Sequence, residues 1–513
     1  MKKLSLLCAF IVLALVFSSC DKRVSLDGSL EEKSASENLA NVTLSASFSD
    51  VITRAYPSTP EGILKARVSF ENVRVVFYEI DANNKPTKVA YSFDFDIKAL
   101  KGQFSGMDYV ADQQGSLSFK IKSPMRISCS NYHVYIIAGA TEGIKKATAE
   151  GSDFSLLSAP FAYEESNFIQ KGYLVNSIFI NSNPIVITKK ELEASVQSQS
   201  YQVKNSSLAP INAFVSVEWE PVVNDTKLII SKNSLSFVSD VNNRKFTLFP
   251  QFDQTVKEQL NENYPIDANY SGYGKKSIEE LSDDFIFLPF HNLNGSEAVT
   301  AYRSTKDVKE NTYMILPENT MDANDYFGNV VTRIIVMAFI FPADMDLTGV
   351  DINDVPWANR RTLPSWILYN GKGYSEKEFE NLYAKCEAAT TKTAEQNNLI
   401  KAYTELKGGK KDYPLDGYES AAIKYFKHGV NYYSIPIQHF TSDQLQGKNI
   451  PGQFGVVRNT HYVIRIKSFQ TTGATSIKNL GRAENFKEML TARSGSFAFE
   501  EAKIVEKVID TLY

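Results

Sequence analysis

Short runs of alternating apolar and polar residues recur along most of this 513-residue chain. The clearest runs are rich in Val, Ile, Tyr and Phe, and they cover residues 65–81, 133–140, 174–188, 212–223, 227–240, 331–342, 431–440 and 461–469. Turns rich in Asn, Asp, Gly and Pro separate them. Short alternating segments bounded by turn residues are typical of β-sandwiches and barrels. The pattern therefore predicts an all-β protein.

One long segment repeats its apolar residues at helical spacing instead. Its first part carries Phe379, Leu382, Tyr383 and Cys386, and its second part carries Leu399, Tyr403 and Leu406. Apolar residues three and four apart lie on one face of a helix. Because this segment lies between strand runs, we predict a helical insertion at about 375–408. The charged segment 189–210 marks the expected junction of two domains, 55–208 and 209–513.

The first twenty residues have the pattern of a lipoprotein signal peptide. Lys2 and Lys3 precede an apolar run over residues 4–17, and two serines then precede Cys20. The run is too short to span a bilayer as a helix, but it has the length of a signal-peptide core. We therefore predict a signal peptide at 1–19 and lipid on the thiol of Cys20. Residues 21–38 have the composition of a tether.

The charge argues against a nucleic-acid-binding protein, and the cysteine content argues against a disulfide-rich one. The net charge of −4 provides no basic field for nucleic acid. Of the four cysteines, Cys8 leaves with the signal peptide and Cys20 carries lipid. Cys129 and Cys386 remain, and two buried thiols fit the sequence better than a disulfide, although pairing stays open.

No motif of an enzyme or of a cofactor site is present in the sequence. It has no G-x-S-x-G elbow and no H-E-x-x-H pattern, and its five histidines are scattered. Residues 344–354 resemble the start of an EF-hand loop, but Val355 stands where a calcium site needs Glu. We therefore expect no catalysis, no cofactor and no metal.

Two stretches carry further predictions. In 431–469, Gly452 and Gly455 permit a close hairpin, and Arg458 and Asn459 occupy a turn. The apolar residues there are expected on one face of paired strands: Tyr432, Tyr433, Ile435, Ile437, Tyr462, Ile464 and Ile466. Near the N-terminus, the strand-like run 41–53 leads into Arg54 and Ala55, and prolines follow. Arg54 either closes a surface strand or marks a protease site.

These segments together resemble the Bacteroidia-type fimbrillins, the type V pilin subunits, and the minor-fimbrium type most closely. The resemblance rests on "ILPENTM" (315–321), on "GQFGVVRNTHYVIRIKSF" (452–469) and on "ITRA", "VRVVFYEID" and "YHVYIIAGA". It implies two transthyretin-like β-sandwich domains and an exported precursor at the outer membrane. It also implies an Arg-specific protease that cuts between Arg54 and Ala55. The first strand, within 20–54, then leaves, and a strand of another fimbrial subunit fills its groove.

The end of the chain departs from the family pattern. Family stalk subunits carry a Trp in an extended last strand, and here none follows Trp366. Residues Ile504, Val505, Val508, Ile509 and Leu512 have helical spacing. A helix would make the chain an acceptor that donates no strand, whereas an extended tail would make it an ordinary stalk subunit. The alternative function is a surface lipoprotein that binds glycan or a host ligand without polymerising, using aromatic residues in 357–374.

Overall fold

Strands dominate the structure. The computed structural model describes residues 39–48, 70–96, 107–111, 117–169, 173–196, 200–219, 228–231, 236–270, 276–288, 303–304, 314–322, 328–352, 355, 357–440, 451–469, 471–481 and 497–504. Helices in this part of the chain are short, apart from one helical pair. The prediction of an all-β fold with a helical insertion is confirmed. Within these ranges no helix is long and apolar enough to cross a membrane.

The elements up to residue 210 follow one another closely. In chain order they are β1 (Leu39–Phe48), β2 (Asn72–Ile80), β3 (Pro86–Asp96), β4 (Met107–Ala111), β5 (Leu117–Ser128), β6 (Tyr132–Ala138), α1 (Glu142–Ala147), α2 (Phe154–Ser158), β7 (Phe161–Ala162), β8 (Phe168–Ile169), β9 (Tyr173–Leu174), β10 (Phe179–Ile180), β11 (Ile185–Ile187), α3 (Lys189–Val196) and β12 (Tyr201–Pro210). The expected junction at 189–210 thus folds as a helix and a long strand.

The strands β1 to β6 and β10 to β12 form a sandwich. Their order is β3-β2-β6-β10-β12-β1-β5-β4, and β11 pairs with β6. The strand β12 belongs to both layers, because its first part pairs with β1 and its last two residues pair with β10. Side chains of both layers share one core, which includes Leu44, Val75, Phe119 and Ile136. Alternation along each strand directs these residues inward.

The elements after residue 210 build the second half. They are β13 (Asn212–Trp219), β14 (Leu228–Ile230), β15 (Ser236–Asp240), β16 (Asn242–Asn243), β17 (Lys245–Phe246), β18 (Gln251–Phe252), α4 (Gln254–Leu260), β19 (Pro265–Ile266), α5 (Ile278–Leu281), β20 (Phe285–Ile286), β21 (Arg303–Ser304), β22 (Met314–Pro317), β23 (Arg333–Pro342), β24 (Trp366–Tyr369), β25 (Lys372–Ser375), α6 (Glu376–Ala388), α7 (Ala394–Lys407), β26 (Tyr418–Glu419), β27 (Ile423–Phe426), β28 (Val430–Pro436), β29 (His461–Phe469), α8 (Ile477–Leu480) and β30 (Phe497–Ile504).

A second sandwich encloses the core of this half. One layer has the order β30-β29-β13-β22-β9-β8, and the other has β14-β23-β15-β21 with β28 on β23. The expected pairing within 431–469 is wrong, because β28 pairs with β23 while β29 pairs with β13 and β30. Tyr433 and Ile435 instead face Tyr462 and Ile464 across the core. Tyr432 lies on the opposite side of β28, in a separate cluster.

The two sandwiches contact each other through paired strands and a shared apolar cluster, in addition to the chain connection. The strand β7 pairs with β17, and Leu174 of β9 pairs with Ile315 of β22. A shared apolar cluster includes Tyr78, Tyr163 and Phe246. Ile211 separates β12 from β13, but the predicted domain boundaries remain a prediction.

The helical insertion has its own sheet and core. The helices α6 and α7 begin at the N-caps Ser375 and Thr393, each with a reciprocal capping box, and α7 ends at Gly408 in the left-handed conformation. The strands β25-β24-β27-β26 form a small sheet beside them. Phe379 and Leu406 are buried against this sheet.

Three remaining predictions concern the tail and the cysteines. Residues 497–504 of the tail form the strand β30 on β29, and residues 505–513, where most of the helical spacing falls, lie outside the described part. Cys129 and Cys386 are both free thiols. Cys386 is buried as predicted, but Cys129 is only half-buried.

Candidate functional site

The first strand, β1, has the alternation expected of a strand whose one face lies in a core. Its inward side chains are Ala40, Val42, Leu44 and Ala46, all at most 1% exposed. The polar residues between them, such as Asn41 and Thr43, are exposed or half-buried. The sequence pattern also places Phe48 on this face, but its side chain lies outside the described part of the structure. Such a strand is held by burial on one side and by backbone pairing along both edges.

Both edges of β1 are paired. It runs parallel to β12, with Val42 beside Tyr201 and Leu44 beside Val203. It runs antiparallel to β5, where the four inward residues lie opposite Ile127, Met125, Ile121 and Phe119 in turn. Register shifts interrupt the ladder on the β5 side between Val42 and Leu44, and on the β12 side between Leu44 and Ala46.

The position of β1 makes it a connecting element. In the described sheet, β5 pairs with β1 and β4, and β12 pairs with β1 and β10. The hairpin of β4 and β5 therefore joins the rest of the sheet through β1. The helix α3 also contacts β1, and its Leu192 is fully buried in the same core. Loss of β1 would open a groove with apolar walls between β12 and β5.

The other predicted site residues lie outside the described part of the chain. These are Cys20, Arg54 and Ala55. Arg54 lies six positions after Phe48, the last residue of β1. The lipid site and the cleavage site thus remain predictions.

A second feature joins the two motifs that carried most of the resemblance. The guanidinium of Arg458 donates to both carboxylate oxygens of Glu318, at distances of 2.5 to 3.0 Å. The same guanidinium donates to the backbone carbonyls of Thr247 and Leu248 at 2.9 and 3.2 Å. Both side chains are nearly buried, at 11% and 2% exposure. Arg458 is therefore more than the turn residue that we predicted: it fixes three segments of the second sandwich.

Buried titratable groups near this pair have structural partners. The Nδ1 atom of His439 lies 2.9 Å from the hydroxyl of Tyr462, and burial lowers the pKa of His439 to about 3. The carboxylate of Asp267 accepts from the backbone amides of Thr320 and Asn269, while burial raises its pKa to about 7. A neutral imidazole locked in a core is suited to packing and hydrogen bonding.

The remaining sequence candidates have ordinary structural surroundings. In the EF-hand-like stretch, Asp346 accepts from the backbone amide of Thr348, as in a turn. Trp366, which could have stacked on a sugar, is 0% exposed and donates its indole N–H to the carbonyl of Ile340. Tyr369 is also buried. These two aromatic residues of 357–374 pack in the core and offer no platform for glycan.

A comparison with known protein families finds a match in the second sandwich. Residues 424–492 match the C-terminal family model of fimbrillin, the major fimbrial subunit protein type IV. This match covers β28, β29 and the Arg458 turn. This part of the chain is thus similar to the C-terminal domain of fimbrillins. The resemblance drawn from the sequence is thus confirmed, and the finer assignment to the minor-fimbrium type remains a prediction.

Solved structures similar to this chain include proteins from Parabacteroides distasonis. Two candidate cell adhesion proteins from Parabacteroides distasonis are 9% and 10% identical, with TM-scores of 0.36 and 0.37; each comparison covers 87% of this chain, and 97% and 96% of the other. A fimbrial assembly protein from the same organism is 10% identical over 59% of this chain and 98% of its own, with a TM-score of 0.24. These scores are too low to carry an argument. No curated protein matches this chain.

The sequence patterns did not reveal the two strands that form the walls of the groove, β5 and β12. The strand β5 contains Pro124, which argues against a strand when it is read alone. The strand β12 was hidden in the segment taken as a junction, because its polar residues mask the inward Val203 and Leu208. Two short stretches in which apolar residues alternate, Tyr201 with Val203 and Leu208 with Pro210, were the signal that could have found it.

Proposed function

We propose that this chain is a fimbrillin, a structural subunit of a cell-surface fimbria that supports adhesion. Its precursor is exported, carries lipid on Cys20 and is held at the outer membrane. An Arg-specific protease cuts between Arg54 and Ala55, and β1 leaves. A strand of another fimbrial subunit then occupies the groove between β12 and β5. The assembled fimbria also binds an adhesion ligand on a host or bacterial surface.

The single observation that supports this proposal most is the position of β1. It is the first described element, it lies inside the sheet, and Arg54 follows it by six residues. A cut at Arg54 would leave β1 bound only by non-covalent contacts. No other strand in the described part could be detached by one cut at that bond.

The energetics favour exchange over simple loss of the strand. Burial of the side chains of Val42, Leu44 and the two alanines contributes about 5–8 kcal/mol before entropic costs. Backbone pairing along both edges adds to this, as in other cases of strand addition. A domain that loses such a strand has a strong drive to accept a replacement. The replacement restores both the core and the link to β4 and β5.

The proposed role needs no catalysis and no cofactor. A fimbrial subunit works through stable packing between chains, and the chemistry of this fimbrillin is that of buried apolar residues and structural ion pairs. The absence of turnover remains a prediction. A specific hydrolytic activity lost on substitution of His439 or His461 would show that a site had been overlooked.

An experiment on the purified protein tests the proposal. The folded chain is treated with an Arg-specific protease, mass spectrometry locates the cut, and size-exclusion chromatography follows assembly with added subunits. We expect cleavage between Arg54 and Ala55, followed by assembly. Arg54→Ala should block both while leaving a folded monomer. The proposal fails if that bond stays intact while others are cut, or if the cut protein neither loses stability nor associates.

A further inference from the structure

We propose that the groove left by β1 selects its donor by side-chain size, and that the donor is a strand of a different polypeptide. The donor must carry a small, a large, a large and a small side chain at the positions that Ala40, Val42, Leu44 and Ala46 occupy in β1. Residues 482–513 of this chain do not supply that pattern, so a second copy of this chain does not fill the groove with that segment. The inference rests on the proposed function and specifies the partner in that exchange.

The small residues at the two ends of the pattern follow from their neighbours. Ala46 lies directly opposite Phe119, and Ala40 lies opposite Ile127. Phe119 and Ile127 are themselves 1% and 0% exposed, so the space at each end is already filled. A larger donor side chain at either position would have to displace a packed core residue.

The two middle positions demand larger apolar side chains. Val42 lies opposite Met125, and Leu44 is enclosed between Ile121 of β5 and Val203 of β12. A small residue at either position would leave a cavity in a core that is otherwise close-packed. A charged residue there would lose its hydration without gaining a partner.

The register of the donor is fixed as well. The ladder shifts on one side of Leu44 against β5 and on the other side against β12. Irregularities of this kind pin a strand at one register. A slip by two residues in one direction would place a large side chain against Phe119 and a small one opposite Met125. A slip in the other direction would place a large side chain against Ile127 and a small one between Ile121 and Val203. The size pattern therefore has to match at the observed positions.

The tail of this chain does not match in either direction. Within 482–513, only one set of alternating residues places two large apolar side chains next to each other with a small residue before them: Gly495, Phe497, Phe499 and Glu501. This set puts a carboxylate against Phe119, or against Ile127 if the strand runs the other way. It also places the rings of Phe497 and Phe499 at the positions that Val42 and Leu44 occupy in β1. Residues 497–504 are moreover paired with β29 in their own chain.

Peptide exchange tests the proposal. The full chain is cut between β1 and β2, at Arg54 or at an engineered protease site, and fluorescent peptides compete for the groove. The panel contains the β1 sequence 39–48, its Ala46→Leu variant, its Asn41→Leu variant and the tail sequence 495–511. Asn41 is exposed, so its variant adds an apolar side chain on the outer face as a matched control.

We expect the β1 peptide to bind, the Asn41→Leu peptide to stay within about threefold of it, and the Ala46→Leu peptide to bind at least tenfold more weakly. The tail peptide should bind at least a hundredfold more weakly. Tail binding equal to that of the β1 peptide would overturn the inference and leave the proposed function standing. Equal binding of the Ala46→Leu peptide would overturn selection by size. If even the β1 peptide does not bind, the proposed function itself fails.

Discussion

Glu318 and Arg458 form a nearly buried ion pair between segments 140 residues apart. Arg458 also binds the backbone of Thr247 and Leu248. Replacing Arg458 with Met leaves the Glu318 carboxylate, 2% exposed, without its counter-charge. We expect a loss of about 3–5 kcal/mol in the free energy of unfolding, measured by urea denaturation.

A surface pair provides the control for that measurement. Lys145 and Glu142 are 2.7 Å apart on α1, but the carboxylate of Glu142 is 75% exposed. Glu142→Gln should therefore change the free energy of unfolding by less than about 1 kcal/mol. Equal effects of Arg458→Met and Glu142→Gln would show that burial of the first pair has no energetic consequence.

Gly452 is required for the close approach of the 452–455 segment to the core. Its φ is +104°, and a Cβ atom there would lie 2.5 Å from the ring of Phe440. Gly349 has a φ of +80° with nothing within 4 Å of such an atom. Both alanine variants carry backbone strain, but Gly452→Ala should cost about 1–3 kcal/mol more because Phe440, at 1% exposure, is packed in the core. Thermal denaturation of both variants compares them directly, and equal melting temperatures would contradict the expectation.

Much of the fold could be predicted from the apolar pattern of the sequence, since β13 and β29 alternate apolar and polar residues and β23 buries a nearly continuous apolar run. Pairing could not be predicted, because β28 and β29 carry similar patterns yet belong to opposite layers. In the groove, β1 was visible through the alternation of Val42, Leu44 and Ala46. Its neighbour β12 was not, because polar residues outnumber the two that point inward. The role of Arg458 could not be predicted either, because its partner Glu318 lies 140 residues earlier in the sequence.

His439 should make stability depend on pH. Its pKa falls from an ordinary 6.5 to about 3 in the folded state, so its stabilising contribution is present above pH 6.5 and is lost as pH falls from there towards 3. Between pH 7 and 5 this amounts to about 2 kcal/mol. His439→Asn should flatten the dependence, as followed by denaturation at several pH values. Tyr462→Phe removes the hydrogen bond but keeps the imidazole, and it should retain the slope.

Cys20 is the expected site of lipid attachment. Cys20→Ala should abolish labelling by a radioactive or clickable fatty acid and leave a precursor with its signal peptide, because no other thiol follows the signal core closely. Cys8→Ala keeps an apolar residue within that core and should be labelled normally. Equal labelling of both variants, with unchanged outer-membrane fractionation, would show that the anchor lies elsewhere.

The central claim is that β1 is a removable strand, and amide hydrogen exchange tests it most directly. The chain is cut between Arg54 and Ala55, diluted below micromolar concentration, and compared with the uncut chain by exchange and mass spectrometry. The account predicts that the N-terminal fragment leaves and that amides of β4, β5 and the first part of β12 lose protection, while β2 and β6 keep theirs. Unchanged protection in β5 and β12, with the fragment lost or retained, would contradict it.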